Sequence, residues 1–521
     1  LVVGHVDLAT AAWRKYRVLA SATTKGVAMA MSNVWLWDAT AAQLAAALDA
    51  GETTSVAIVS ALMDRISLID APGTEIELRS VLALAPDALD QARRADDERA
   101  AGKARSRLHG IPILVKDSIE AVGLPGTAGS TALLGRPVTS DAPLITRLRE
   151  AGLVIFGATN LSQWANMRSP ESTSGWSAVG GLTANPYQLD RSAGGSSAGS
   201  GAALAARLTP LAVGTETDGS ITCPASLNGV VGLKPAVGVV PGAGVVPIAA
   251  SQDSPGPMAR TVADVAALYE VVAGIDGVVD RVAGGASDVR IAVATNLVTS
   301  HARTDEMFKL ALRRVAQMGI TTTDITVVEA DTKVDADELT VLLCEMADDL
   351  TAFLARRGGD GPASVEAIIA FEDQHADVEQ PFFGHEYLEQ ALATGGRAGA
   401  VYHDARSRNV AWAIDQCLEP ALRDVDCFVA PCYGPAWKHD LVLGGHGSAR
   451  CSQVAQAPAI AGWPIATVPM GLINGLPVGL SIVGRPGSEA TLLAVAQEFE
   501  KALQLTTDGS LVPQFNPSRR G

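Results

Sequence analysis

Residues 192–235 read SAGGSSAGSGAALAARLTPLAVGTETDGSITCPASLNGVVGLKP. Glycine and serine crowd the first part. An apolar run, 211–214, then enters a second turn, Thr217-Asp218-Gly219-Ser220. Three chemistries fit such a stretch. A phosphate cradle needs G-x-x-x-x-G-K-[ST], or G-x-G-x-x-G after a strand, and neither is present. A nucleophile elbow needs G-x-S-x-G directly after a strand. Gly195-Ser196-Ser197-Ala198-Gly199 matches it with Ser197 at the centre, but the preceding Asn185–Arg191 is polar and turn-like. The third chemistry takes Ser220 as nucleophile, in a turn that can aim successive backbone N–H groups at one point as an oxyanion hole.

A serine nucleophile needs a base. No histidine lies within 192–300. Lys116 closes the apolar run Ile111-Pro112-Ile113-Leu114-Val115. Burial disfavours the charged form of lysine, so a neutral amine is attainable there. Ser196 can relay the proton if Lys116 does not reach Ser220.

The motifs resemble those of the amidase signature family. They are Gly194-Gly195-Ser196-Ser197 with Gly199-Ser200, Gly214-Thr215-Glu216-Thr217-Asp218-Gly219-Ser220-Ile221, and Gly229-Val230-Val231-Gly232-Leu233-Lys234-Pro235. Leu108-His109-Gly110-Ile111-Pro112 with Lys116-Asp117 lies upstream. Ala461-Gly462-Trp463-Pro464, Val468-Pro469-Met470-Gly471 and Gly475-Leu476-Pro477-Val478-Gly479 lie downstream. The resemblance spans roughly residues 38 to 500. It implies an α/β fold: one large three-layer α/β/α domain with a mixed central sheet over 37–510. Residues 1–36 are then an N-terminal extension, 340–440 a helical substrate-side region, and 511–521 a tail.

The resemblance also implies site roles. Ser220 is the nucleophile. Ser196, in a cis peptide, is the relay and Lys116 the base. The N–H groups of Thr217, Asp218, Gly219 and Ser220 form the oxyanion hole. Thr215 and Asn160 stand behind them. No cofactor or metal is implied. The chain departs from the family in two places. Asp218 stands where many members have Gly, and T-D-G-S followed by Cys223-Pro224-Ala225 resembles the peptide amidase branch. Thr222 and Cys223 stand where members acting on anionic substrates often have Arg. A neutral or apolar acyl group is therefore expected. The expected substrates are peptide amides, aryl acylamides and, as near neighbours, carbamates (urethanes). Phe382, Phe383, His385 and Trp437 are candidates for the pocket. The rival readings are a glutaminase subunit of a tRNA-dependent amidotransferase, an esterase using Ser197, and a catalytically dead binding protein.

Outward from this stretch, the chain alternates strand and helix patterns. Two helices are expected within 38–70, the first opened at Thr40 and the second capped by Thr54, with Val56, Val59, Leu62 and Ile66 on one face. Strands are expected at 111–115, 153–156, 211–214, 289–294, 427–430, 465–469 and 478–483. A helix is expected through Trp164 and a loop over 277–287. Scarce aromatics gather in 371–388.

Composition agrees with an enzyme core. The 521 residues are 48% hydrophobic and 18% charged, which excludes disorder. A net charge of -16 disfavours nucleic acid and anionic membranes as partners. No apolar run reaches the roughly 18 residues of a membrane span. Cys223, Cys344, Cys417, Cys427, Cys432 and Cys451 form no C-x-x-C pair and are expected as buried apolar groups. The chain begins with Leu1, and 18–31 is broken by Ser21, Thr23, Thr24 and Lys25, so it does not form a signal-peptide core. A start at Met29 or Met31, a cytoplasmic location, a small-molecule substrate and no obligate protein partner are expected.

Overall fold

A computed structural model describes residues 35–442, 450–506 and 508–517. Nearly all of the expected extension, with Met29 and Met31, lies outside the described residues. The main strands are β1 (Val81–Leu84), β2 (Pro112–Lys116), β3 (Val154–Thr159), β4 (Leu211–Glu216), β5 (Val231–Lys234), β6 (Ser254–Ala259), β7 (Ile291–Ala294), β8 (Thr322–Ile325), β9 (Cys427–Pro431), β10 (Ile465–Ile473) and β11 (Leu476–Gly484). They form one mixed sheet of 11 strands in the order β1-β3-β2-β4-β6-β5-β10-β11-β9-β7-β8. Strand β2 runs parallel to both β3 and β4, so the carboxyl ends of β2 and β4 open on the same side. Ligand sites of open α/β sheets gather at such ends.

Helices cover the sheet. Helix α1 (Ala41–Asp49) starts at a Thr40 capping box, and in α2 (Ser55–Ile69) the Thr54 side chain accepts from Ala57 N. Helix α2 buries Ile58, Val59, Leu62, Ile66 and Ile69, the face its spacing predicts, while Val56 is half-buried. Every residue of α3 (Ala198–Ala205) is buried. Helix α4 (Thr222–Asn228) follows the nucleophile turn and ends at Gly229 in the left-handed conformation. The region 340–440 is largely helical and includes α5 (Thr332–Arg356), α6 (Val365–Gln374) and α7 (Glu386–Thr394). Leu350, Leu354, Ile368 and Leu388 from these helices pack with Leu133 and Trp164. Among the described residues, no helix is long and apolar enough to cross a membrane.

Several expectations change. The helix expected through Trp164 is a single 3-10 turn, Gln163–Asn166, with Trp164 and Ala165 at φ 49° and 53°. Buried carboxylates explain it, since Gln163 and Trp164 turn their side chains onto Glu379 and Glu372. The expected 277–287 loop holds a short helix, Val278–Ala283, because Val278 and Val282 are one turn apart and both buried. The turn-like 185–191 segment forms a ribbon in which Gln188–Ser192 pairs with Ala184–Asn185, outside the main sheet. Cys451 is exposed, whereas the other five cysteines are buried. Residues 511–517, read from sequence as part of a tail, pack back onto the body. Leu511, Val512 and Phe515 are buried, and Leu511 O accepts from Tyr187 and Arg207.

Helix α3 sits at backbone contact distance from its neighbours. A β-carbon on Gly199 would lie 2.3 Å from Ser80 O and 2.5 Å from Asn160 O. Overpacking of this kind typically costs about 1–3 kcal/mol. Gly199→Ala should lower the thermal unfolding midpoint, measured by circular dichroism. An unchanged midpoint would show that α3 has room to move.

Candidate active site

Strand register brings the first two groups together. Val115 pairs with Val213, so Lys116 lies beside the Gly214–Thr215 end of β4. The Lys116 side chain is 0% exposed. Its Nζ lies 2.7 Å from Ser196 Oγ, 2.8 Å from Thr215 Oγ1 and 3.3 Å from Thr215 O. Burial pulls the Lys116 pKa down to about 7, against a smaller upward pull from Asp253 and Glu216. Near neutral pH a large fraction of this amine is uncharged and can accept a hydroxyl proton.

The Gly195–Ser196 peptide bond is cis. Ser162 N donates to Ser196 O at 3.1 Å, and Ser197 N donates to Ser220 O at 3.1 Å. The serine pair is thereby fastened to residue 220. Ser197 itself is a brace. Its Oγ donates to Thr215 O at 3.1 Å and accepts from Thr215 N at 3.2 Å. That engagement argues against Ser197 as a free nucleophile.

The 217–220 turn is held from both sides. Glu216 Oε2 accepts from Ile221 N at 2.6 Å and Thr222 N at 2.8 Å. Thr217 Oγ1 donates to Asp253 Oδ1 at 2.6 Å. Asp253 Oδ2 accepts from Ile248 N and Ala249 N. Gly219 has φ +79°, and a β-carbon there would lie 3.0 Å from the Tyr433 hydroxyl. Among the described residues, none of the N–H groups of 217–220 donates to a protein acceptor. Four successive free N–H groups can hold an anionic oxygen.

Asp218 is an exposed residue of this turn. Desolvation by the surrounding turn, with the nearby Glu338 and Glu216, pushes its carboxyl above the usual range.

The other sequence candidates fall in different places. Thr215 touches Lys116 directly. Asn160 is a scaffold residue. Its side chain binds Arg79 O, Gly181 O and Thr183 Oγ1, and its carbonyl accepts from Gly199 N. Phe382 and Phe383 both pack edge-on against Trp176. His385 is buried and held by a carboxylate. Its Nδ1 lies 3.0 Å from buried Glu372, and that hydrogen bond is the main cause of its raised pKa. Trp437 instead lines a cavity of ≈ 1140 Å³ with Arg191, His301, Lys438 and Arg450, and none of Lys116, Ser196 and Ser220 lines that cavity.

Sequence reasoning did not find Asp253, Ser162, Arg168, Trp176 or Tyr433. Only Asp253 carried a signal, as the one charged residue within 235–259, just before β6.

Residues 57–493 match the family model described as Amidase. The chain belongs to the amidase signature family. The peptide amidase from Stenotrophomonas maltophilia shares 39% identity at TM-score 0.83, covering 89% of this chain and 97% of that one. A Glutamyl-tRNA(Gln) amidotransferase subunit of Symbiobacterium thermophilum is 32% identical over 87% of this chain and 94% of its own length. A bacterial aryl acylamidase of the family shares the fold at TM-score 0.75 and 20% identity, covering 92% of this chain and 99% of that one. This amidase therefore has the α/β fold with a mixed sheet that the motifs imply.

The buried amine gives a direct measurement. In a 13C NMR titration, the Lys116 side chain should show a midpoint near pH 7. A midpoint near 10 would mean that water reaches the amine.

Proposed function

We propose that this amidase hydrolyses linear amides through Ser220, Ser196 and Lys116. The hydrogen bond from a buried, partly neutral Lys116 to Ser196 Oγ carries the reading. Lys116 takes the Ser196 hydroxyl proton, and Ser196 takes the proton of Ser220. Ser220 Oγ bonds to the substrate carbonyl carbon while the N–H groups of 217–220 hold the oxyanion. The tetrahedral intermediate collapses, the C–N bond breaks, and Ser196 gives a proton to the leaving nitrogen. Water then attacks the acyl-enzyme by the same proton route and regenerates Ser220.

The substrates are amides with a neutral or apolar acyl group, such as peptide C-terminal amides and aryl acylamides. Carbamates present the same carbonyl to the same oxyanion turn. The absence of Arg at Thr222 and Cys223 supports a neutral acyl group, and similarity to a peptide amidase supports the amide class. The chain acts alone, in the cytoplasm. The amidotransferase reading has one observation in its favour, the similarity to the Symbiobacterium thermophilum relative.

The purified chain should by itself hydrolyse at least one of a peptide amide, a p-nitroanilide and a carbamate. Glutamine hydrolysis that appears only with added partner proteins would favour the amidotransferase reading, and no turnover of any of these would overturn both.

Two further outcomes test the roles. Ser220→Ala should abolish turnover, whereas Ser197→Ala should keep most of it; the reverse would restore Ser197 as nucleophile. Below pH 7 the amine carries its proton and cannot act as base, so kcat/KM should fall about tenfold per pH unit there and level off above. Lys116→Ala should lose roughly 10²–10⁴ in kcat, most visibly at neutral pH. A flat pH profile in the unmodified enzyme would defeat the base assignment.

A further inference from the structure

A buried ion cluster outside the catalytic groups joins the helical region to the active-site loops. Arg168 is 0% exposed. Its Nη2 lies 3.5 Å from Glu372 Oε2 and its Nη1 3.8 Å from Glu379 Oε2. Its Nε donates to Gly384 O at 2.8 Å, and its own carbonyl accepts from Tyr387 N at 2.9 Å. Both carboxylates are otherwise satisfied. Trp164 Nε1 donates to Glu372 at 2.8 Å, and Gln163 Nε2 and Thr131 N donate to Glu379 at 2.6 and 2.7 Å.

Buried ion pairs add little net stability, because desolvation offsets attraction. Their best-supported use is to specify one geometry. Here the geometry concerns aromatic rings. The Arg168 guanidinium carbon lies 5.5 Å from the Phe383 ring and 5.7 Å from the Trp176 ring. Trp176 meets Phe383 and Phe382 edge-on, with centroids 5.0 and 5.9 Å apart. Trp176 and Phe383 are buried, and Phe382 is 45% exposed. The three rings thus form a wall whose open face is Phe382.

The wall is tied to the catalytic loop by short steps. Gly175 N donates to Ser162 Oγ at 2.8 Å, and Ser162 N donates to Ser196 O. Trp176 is the next residue after Gly175.

We propose that Phe382, backed by Trp176 and Phe383, contacts an aromatic or bulky apolar group of the amide substrate, and that Arg168 is the positioning residue for this wall. The inference rests on the amidase reading and narrows its substrate class. Edge-on aromatic contacts are specific in geometry, so a displaced ring loses them. Lysine keeps the charge of Arg168 but lacks the planar fork that reaches two carboxylates and stacks on rings.

The test uses the Ser220→Ala protein, in which binding is read without turnover. Two ligands with the same acyl group are compared, an anilide and a methylamide, by calorimetry. The added Phe382→Ala change should reduce the ratio of anilide to methylamide affinity about tenfold. Phe382 is exposed enough that this variant should fold even if an Arg168 variant does not. With Ser220 intact, Arg168→Lys should raise KM for the anilide several-fold with a smaller change in kcat. An unmoved affinity ratio in Phe382→Ala would overturn the proposal, and equal losses in kcat and kcat/KM for Arg168→Lys would overturn the positioning role. Anilide binding without turnover by the unmodified enzyme would defeat only the amidase reading. Turnover without an anilide preference would defeat only this one.

Discussion

A primary amine sealed from water at the end of β2 sets the terms for everything around it. An ammonium ion there would be costly without a counter-ion. Among the described residues none is in contact with it. The two carboxylates whose charges act on it are engaged elsewhere, Glu216 on the N–H groups that open α4 and Asp253 on Thr217 and the 248–249 backbone. Their charges reach Lys116 only as a weak upward pull on its pKa. The amine is left with hydroxyls and a carbonyl, which suit its neutral form. The same two braces fix the turn carrying Ser220, so the state of the lysine and the shape of the oxyanion turn have shared supports.

The helical region meets the opposite problem. Arg168 cannot shed its proton, so its burial demands partners, and Glu372 and Glu379 supply them. His385 joins the same group through Glu372. Among the described residues, Lys116 thus has no carboxylate in contact, whereas Arg168 has two. A lysine can act as a base only if it is able to lose its proton. A guanidinium that orients neighbouring rings has to keep its charge.

Much of this was legible in the sequence. An apolar run ending in one lysine predicts β2 with its charge at the strand end, and Thr40 and Thr54 announce their helices through side-chain caps. The Gly/Ser motifs carried both the family and the Lys116–Ser196 pairing. Other parts were hidden for physical reasons. Strand β6 reads SPGPMA, with two prolines and a glycine, yet it lies between β4 and β5 in the sheet. Its place follows from its neighbours, whose backbones need a partner there, and not from any β propensity of its own. Arg168 and Glu372 are far apart in sequence, and no local pattern predicts that they meet. His385 and Trp437 were credible pocket residues by type, but one is committed to a buried carboxylate and the other faces a separate cavity.

Helix α3 has one more consequence. Its residues are Ala198-Gly199-Ser200-Gly201-Ala202-Ala203-Leu204-Ala205, and apart from Leu204 none has a side chain larger than a hydroxymethyl group. Such a segment has almost no rotamers to choose among. The position of the neighbouring Ser196 is then limited by the accuracy of backbone-to-backbone contact and not by the sorting of bulky side chains. The element beside the chemistry is a bare rail, and alignment errors that flexible packing would introduce have few places to enter.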